Sequence, residues 1–331
     1  MDHQKWSLRA GTAVIVCALV MRLGMLGFFQ PVADFLAQPN IASFLIYLET
    51  GRIVRFSSSE EESPVFALES ATPDFGKEPA EPPTFSEEDL KDLELKNNSP
   101  RNPDLEELIT APLDWDLTTE GPTVLILHTH GTESYTPSPG EDYTESSPFR
   151  TLDENYNMVS LGDHLAKILE AEGIEVVHDR ELHDYPNYSG SYSHARKSID
   201  AYLKQYPTIR LVLDLHRDAS GDNRNQMVTS ATVNGEKSAQ IMIVVGTNGS
   251  GLTHPKWEEN LALALKLHIQ LERINPGIMR YVNLRSQRFN QDQSPGALII
   301  EIGAAGNTHA EALTATDVLA QGILDLARGS P

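Results

Sequence analysis

Three apolar runs, each stopping at a side chain that can bind a metal or carry a proton, constrain this chain more than any other feature. Val124–Leu127 runs into His128 and His130, "IRLVLDLHRDA" ends on His216, and "GALIIEIGAAGN" ends on Glu301. Short apolar runs bounded by turn residues read as buried strands, and α/β enzymes gather reactive groups at the carboxyl edge of such strands. Helical periods lie between them. "DENYNMVSLGDHLAKILEAEG" carries Met158, Leu161, Leu165, Ile168 and Leu169 on one face and stops at Gly173. "YSHARKSIDAYLKQYP", "KWEENLALALKLHIQLERINPG" and "HAEALTATDVLAQGILDLARG" read the same way, "IEVVHD" reads as a strand, and "QMVTSATVNGEKSAQIMIVVGT" as a hairpin turning at Asn234-Gly235. The alternation predicts an α/β domain over residues 121–331, a mostly parallel sheet flanked by helices.

The first 120 residues differ in character. Lys5 and Arg9 precede an apolar run from Ala10 to Phe29 that is broken by Arg22. Twenty helical residues rise about 30 Å, the thickness of a bilayer core, and an arginine able to snorkel costs ~3 kcal/mol or less. Residues 30–33 (Gln-Pro-Val-Ala) offer no small-residue cleavage signal. The expectation is an uncleaved transmembrane helix, basic residues inside, with the remaining chain on the extracytoplasmic side of the cell membrane. Residues 1–55 are thus read as an anchor and amphipathic segment. Residues 56–120 hold 18 acidic and four basic side chains and eight of the 20 prolines. That composition predicts an acidic disordered linker, in which patches such as "DLEELITAPLDWDL" serve as spacer or docking segments. The formal charge of −21 excludes a partner bound by phosphate neutralisation, so no nucleic acid is expected. Cys17 is the single cysteine, which excludes an intramolecular disulfide and a cysteine zinc site.

Zinc hydrolases need two or three imidazole or carboxylate ligands, an open position, and a further carboxylate for the proton. His130, His216 and Glu301 at strand ends supply such a set, with Asp153 and Glu154 at the start of the first helix. Serine chemistry is disfavoured: Ser134 lies in no G-x-S-x-G elbow, and Ser189–Ser191 lack a paired base. "GTNGSG" lacks the lysine of a phosphate loop. His128 reads as a structural or supporting histidine on His130's side of its strand. Glu133 would orient a ligand histidine or cap its loop. Arg217 would bind a substrate carboxylate or oxyanion, or pair with Asp214 or Asp218. Asn290 is a candidate for supporting the site or touching substrate. Tyr185, Tyr188 and Tyr192 suit stacking on a substrate as well as loop packing.

The stretches "LILHTHGTESYTP", "FRTLDENYNMVSLGDHL", "HDYPNYSGSYSHARKSI", "LVLDLHRDA" and "FNQDQSPGALIIEIGAAGNT", behind an N-terminal anchor, together resemble the stage II sporulation protein P family. That family is similar to the zinc-dependent N-acetylmuramoyl-L-alanine amidases. The resemblance implies a Zn2+ cofactor, with His130 and His216 as ligand histidines. It implies Asp153 as third ligand, from the D-x-x-x-N spacing with Asn157, where the amidases carry glutamate; Glu154, Glu133 and Glu145 are the substitutes. It implies Glu301 as catalytic carboxylate and peptidoglycan as substrate, cut between muramic acid and L-alanine, with cross-link endopeptidase action as an addition. It further implies work at the mother-cell membrane facing the forespore during engulfment, with stage II sporulation protein D as partner. The alternatives are a non-catalytic peptidoglycan-binding or complex-assembly module and a zinc peptidase specific for cross-links.

Overall fold

Strict alternation along three strands explains how the sheet is covered. A computed structural model of the chain describes residues 83–328, apart from 92, 114–115, 139 and 222–224. In chain order its elements begin with β1 (Leu95–Asn98), α1 (Leu105–Thr110), β2 (Val124–Leu127), β3 (Glu145–Ser147), β4 (Arg150–Thr151), α2 (Met158–Ala171) and β5 (Val176–His178). There follow α3 (Ser191–Gln205), β6 (Leu211–Asp218), β7 (Ala231–Val233), β8 (Glu236–Ser238) and β9 (Ile241–Gly246). The last are α4 (Trp257–Ile274), β10 (Met279–Arg285), β11 (Ala297–Ala304) and α5 (His309–Arg328). Seven strands form one sheet in the order β1-β10-β9-β11-β6-β2-β5, and every pairing is parallel except β9 with β11. The expected mostly parallel, helix-flanked sheet is therefore present, and so is the hairpin, as β7–β8. Its turn uses Asn234 (φ 51°) and Gly235 (φ 86°), both in the left-handed region that such a two-residue turn requires.

Because successive side chains point to opposite faces, Leu211, Leu213 and Leu215 of β6, Leu298, Ile300 and Ile302 of β11, and Ile241, Ile243 and Val245 of β9 enter one large core. Helices α2, α4 and α5 supply its other side. On the opposite face α3 covers only part of the sheet, packing Ala195 and Ile199 on Leu125, Leu127 and Val212. Beyond it Met242, Val244 and Ile299 form a small cluster with Tyr281 and Phe289. Among the described residues no helix joins that cluster.

The domain begins earlier than its composition implied. Strand β1 pairs with β10 at the sheet edge, and α1, capped by the Asp104 side chain accepting from Glu107 N at 3.1 Å, buries Ile109 against α4. Lys266 on α4 donates its ammonium to the Ile109 carbonyl and covers the Phe85 ring, while Arg273 binds Thr84 and Asp89. Low hydrophobicity hid this segment, because few apolar side chains suffice when the neighbouring sheet and helix are already in place. Residues 83–120 are thus part of the domain rather than a linker. Residues 1–82, with the expected membrane helix, lie outside the described residues; among the described ones no helix is long and apolar enough to cross a membrane.

Candidate active site

The site lies on the α3 side of the sheet, at the carboxyl ends of β2, β6 and β11. Asp214 and His216 alternate with the core leucines of β6 and so share one face. In the parallel pairing of β11 with β6, Glu301 is the register partner of His216. His130 arrives from the turn after β2, and its ring meets that of His216 edge-on at 5.3 Å between centroids. That turn is short: Glu133 N donates to the His130 carbonyl at 3.1 Å. It carries the Glu133 carboxylate back to within 3.9 Å of His216 Nδ1. The expected pair of histidines and the carboxylate Glu301 are therefore brought together, and Glu133 joins them.

Asp153 does not. It is exposed, and its carboxylate accepts from Asn155 N at 3.0 Å and Asn155 Nδ2 at 2.8 Å. Helix α2 starts five residues later, at Met158, with Asn157 as its cap accepting from Val159 N. Short polar side chains that bind their own backbone favour turns over helix, and this turn holds Asp153 in its own local hydrogen bonds. Glu154 is also exposed and pairs with Arg180 at 2.6 Å. The exposed Glu145 accepts from Phe149 N at 3.2 Å. Of the four carboxylates considered, Glu133 is the one that lies beside the histidines.

A buried polar frame fixes these groups. Asp214 accepts from Thr129 N (2.7 Å) and Thr129 Oγ1 (2.6 Å) and lies 2.9 Å from His216 Nε2. It anchors the His130 turn and the His216 ring with one carboxylate. Asp184 accepts from Thr132 N and Oγ1, at 3.2 and 2.6 Å. Arg150 bridges Asp184 to Glu133 and lies over the Tyr188 ring, which itself stacks on His130 at 4.7 Å. Asp214 was legible as the i−2 neighbour of His216. Arg150 and Asp184 carried no signal, because Arg150 comes from the short strand β4 and Asp184 from a loop after β5.

Arg217, His128 and Asn290 have definite places as well. Arg217 is buried and turned inward: Nε donates to the Ser134 carbonyl and Nη2 to the Phe149 carbonyl, both at 2.8 Å, and its backbone N–H meets Glu133 Oε2 at 3.3 Å. It clamps the loop that presents Glu133 and pairs with neither Asp214 nor Asp218. His128 shares the alternation of Val124 and Ile126, so it faces α2 rather than His130. There Nε2 lies 2.8 Å from His178 Nε2, and burial, aided by His178, pushes its pKa down to about 3. Asn290 donates to the Tyr192 carbonyl at 2.8 Å and thereby positions Tyr192, whose ring meets His130 edge-on. Tyr185 and Tyr188 remain exposed, at 53% and 58%.

The electrostatics suit hydrolysis. Burial, reinforced by Glu133 and Asp218 and opposed by His216, raises the Glu301 pKa to about 7. Burial disfavours the charged form of His216, but the carboxylates of Asp214, Glu301 and Glu133 outweigh it and raise its pKa to about 10. Burial lowers that of His130. His130 Nδ1 and Glu301 Oε2 are sealed from solvent without a hydrogen bond. Unmatched buried donors and acceptors are costly, and two imidazoles with a carboxylate are a donor set that borderline divalent cations take. The chemistry of these groups therefore fits a metal; Glu133, which lies 3.9 Å from His216 Nδ1, also accepts from Arg150 Nη2 and Arg217 N. Among the described residues, the group of three whose ligand atoms all lie within 4.8 Å of one another is a different one, Asp179, Glu181 and His183. There His183 is committed to Asp179 at 3.1 Å, and Glu181 is exposed.

The chain is 29% identical over 208 residues to stage II sporulation protein P of Bacillus subtilis, an alignment covering 60% of this chain and 49% of that protein. It spans about half the length of the curated relative it matches. Among solved structures, the CwlD amidase of Clostridioides difficile, in complex with the GerS lipoprotein, is similar at 10% identity and TM-score 0.39, covering 62% of this chain and 98% of that one. An N-acetylmuramyl-L-alanine amidase of Mycobacterium smegmatis is similar at 12% identity and TM-score 0.38, over 64% and 98% of the two chains. The family model for stage II sporulation protein P matches residues 41–324, the greater part of the sequence, and the chain belongs to that family.

Proposed function

We propose that this chain is a peptidoglycan hydrolase of sporulation, a zinc-dependent amidase that cleaves the bond between N-acetylmuramic acid and the L-alanine of the stem peptide. The observation that carries the reading is Glu301, held beside His216 by strand register with one carboxylate oxygen buried and unpaired. His130, His216 and Glu133 would hold the metal. When bound, zinc supplies Lewis-acid polarisation of the amide carbonyl and a water of lowered pKa. Glu301, with a pKa raised to about 7, takes the proton of the attacking water and hands it to the departing amine nitrogen, which must leave protonated. Arg150, Arg217 and Asp214 act by keeping Glu133 and the imidazoles oriented.

The apolar run at 10–29 anchors the chain in the cell membrane with this domain on the extracytoplasmic side. Membership of the sporulation family supports a role in septal wall degradation and engulfment, with stage II sporulation protein D as partner. The test is digestion of purified peptidoglycan by the full chain, with zinc or with a chelator, beside His216→Ala. Free stem peptides with an L-alanine amino terminus, absent on chelation and in the variant, are the expected products. Cleavage confined to cross-links would replace this reading by that of an endopeptidase. An intact wall after incubation with folded, zinc-loaded protein would replace it by that of a binding module.

A further inference from the structure

On the face that α3 leaves open, a groove of about 730 Å³ runs from Glu301 across β9 and β10 to β1. That volume lies in the range of cavities that enclose a small ligand. Met242, Val244 and Ile299 form its apolar floor with Tyr281 and Phe289. A register shift between Met279 and Val282 lets the neighbours Arg280 and Tyr281 both line it. Tyr281 lies between two cations, Lys96 Nζ at 5.1 Å and Arg280 Cζ at 5.3 Å from its centroid. Arg280 is committed to Asp218 at 2.6 Å. Lys96 and Arg285 have no ion-pair partner among the described residues, in a chain of formal charge −21. Two cations without an ion-pair partner in one groove of so acidic a protein mark a place for an anion.

The geometry points to this groove as the cradle of the stem peptide, with Lys96 and Arg285 receiving its free carboxylates. The inference rests on the amidase reading and gives the substrate a direction. Glu301 serves the departing amine, and the peptide is the part of the substrate attached to that nitrogen, so the groove that opens at Glu301 receives peptide rather than glycan. Strand spacing and rise place Lys96 and Arg285 on the order of 15 Å from Glu301 along the backbone. A short extended peptide spans that distance, and its second and third residues carry carboxylates. Guanidinium and ammonium groups bind carboxylates through charge-assisted hydrogen bonds.

The test is calorimetric binding of the free tetrapeptide L-alanyl-γ-D-glutamyl-meso-diaminopimelyl-D-alanine to the full chain. The same measurement is made with its fully amidated form, with the peptide-free disaccharide, and with Lys96→Gln and Arg285→Gln proteins. Each substitution is expected to weaken the acid peptide roughly tenfold, the order expected for one charge-assisted hydrogen bond, and to leave the disaccharide unchanged. The amidated peptide should bind all proteins equally weakly. Equal affinity of wild type for the acid and amidated peptides overturns the assignment, as does equal affinity of wild type and variants for the acid peptide. Charge-dependent peptide binding by a chain that leaves peptidoglycan intact would sink the amidase reading and keep the groove. Normal hydrolysis with unchanged kcat/KM in both variants would do the reverse.

Discussion

His216 and Glu301 are register partners in the parallel pairing of β6 with β11, so their backbones stand one strand apart and their side chains leave the same face of the sheet. The proximity of imidazole and carboxylate is thus a property of the sheet, not of a loop. The partners that complete the site, Glu133 and His130, come from a turn that β4, Asp214 and Arg217 tie down. A rigid pair and a laced turn are a sound base for a site whose groups must keep a fixed geometry.

Glu133, not Asp153, stands beside the histidines. Glu133→Ala is expected to cost at least ten- to a hundredfold in metal affinity, the scale on which even supporting groups of metal sites act. Asp153→Asn should bind metal as wild type does. Metal content after dialysis, measured by mass spectrometry, decides it; loss of metal in Asp153→Asn with retention in Glu133→Ala would reverse the assignment.

How far the sequence alone reached follows from these contacts. The apolar runs and helical periods are dense local signals, and they located the strands bearing His216 and Glu301 and the helices of the core. Strand parity, extended correctly, also places His128 under α2. Glu133 and Asp153 could not be separated, because only the turn geometry of 130–133 and the hydrogen bonds of 153–157 distinguish them. Strand β1 and helix α1 escaped because they are short and lie in an acidic stretch, where tertiary contacts with β10 and α4 outweigh local preference. Strand β10 was missed because its groove face is polar.

Gly162 on α2 illustrates how tightly His128 is held. A Cβ there would lie 2.3 Å from His178 Nε2 and 2.7 Å from His128 Nε2. An alanine inside a helix ordinarily gains about 0.5–1 kcal/mol over glycine, but here the clash with two mutually bound imidazoles should outweigh it. Gly162→Ala is expected to destabilise by about 1–3 kcal/mol, read from urea unfolding; a stabilised variant would contradict the packing.

His268 on α4 gives a pH test away from the site. It is buried with Nδ1 unpaired, and burial lowers its pKa to about 4 against the opposing effect of Glu272. Between pH 6.5 and 4 the unfolded chain binds this proton and the folded chain does not, so stability falls as pH falls through that window. The contribution is about 3 kcal/mol. His268→Leu should flatten the acid limb of stability against pH by that order, in unfolding measured at pH 7.5 and 4.5. Parallel pH profiles would count against it.

The early domain boundary has its own consequence. A chain beginning at residue 121 lacks β1, the burial of Ile109 and the partners of Lys266 and Arg273. Loss of one buried isoleucine side chain alone costs roughly 2–5 kcal/mol. Thermal unfolding should occur about 10 °C or more below that of a chain beginning at residue 83. Equal Tm values would show the segment to be dispensable.

In the proposed site the labour is divided: His130, His216 and Glu133 would hold the metal and Glu301 would move the proton. Zinc content and peptidoglycan turnover, measured together on the full-length Glu301→Gln protein, test it most directly. Zinc is expected to bind as in wild type, with turnover reduced about 10²–10⁴-fold, the usual contribution of general acid–base catalysis. Loss of zinc would make Glu301 a ligand, and turnover at the wild-type rate would remove it from the chemistry.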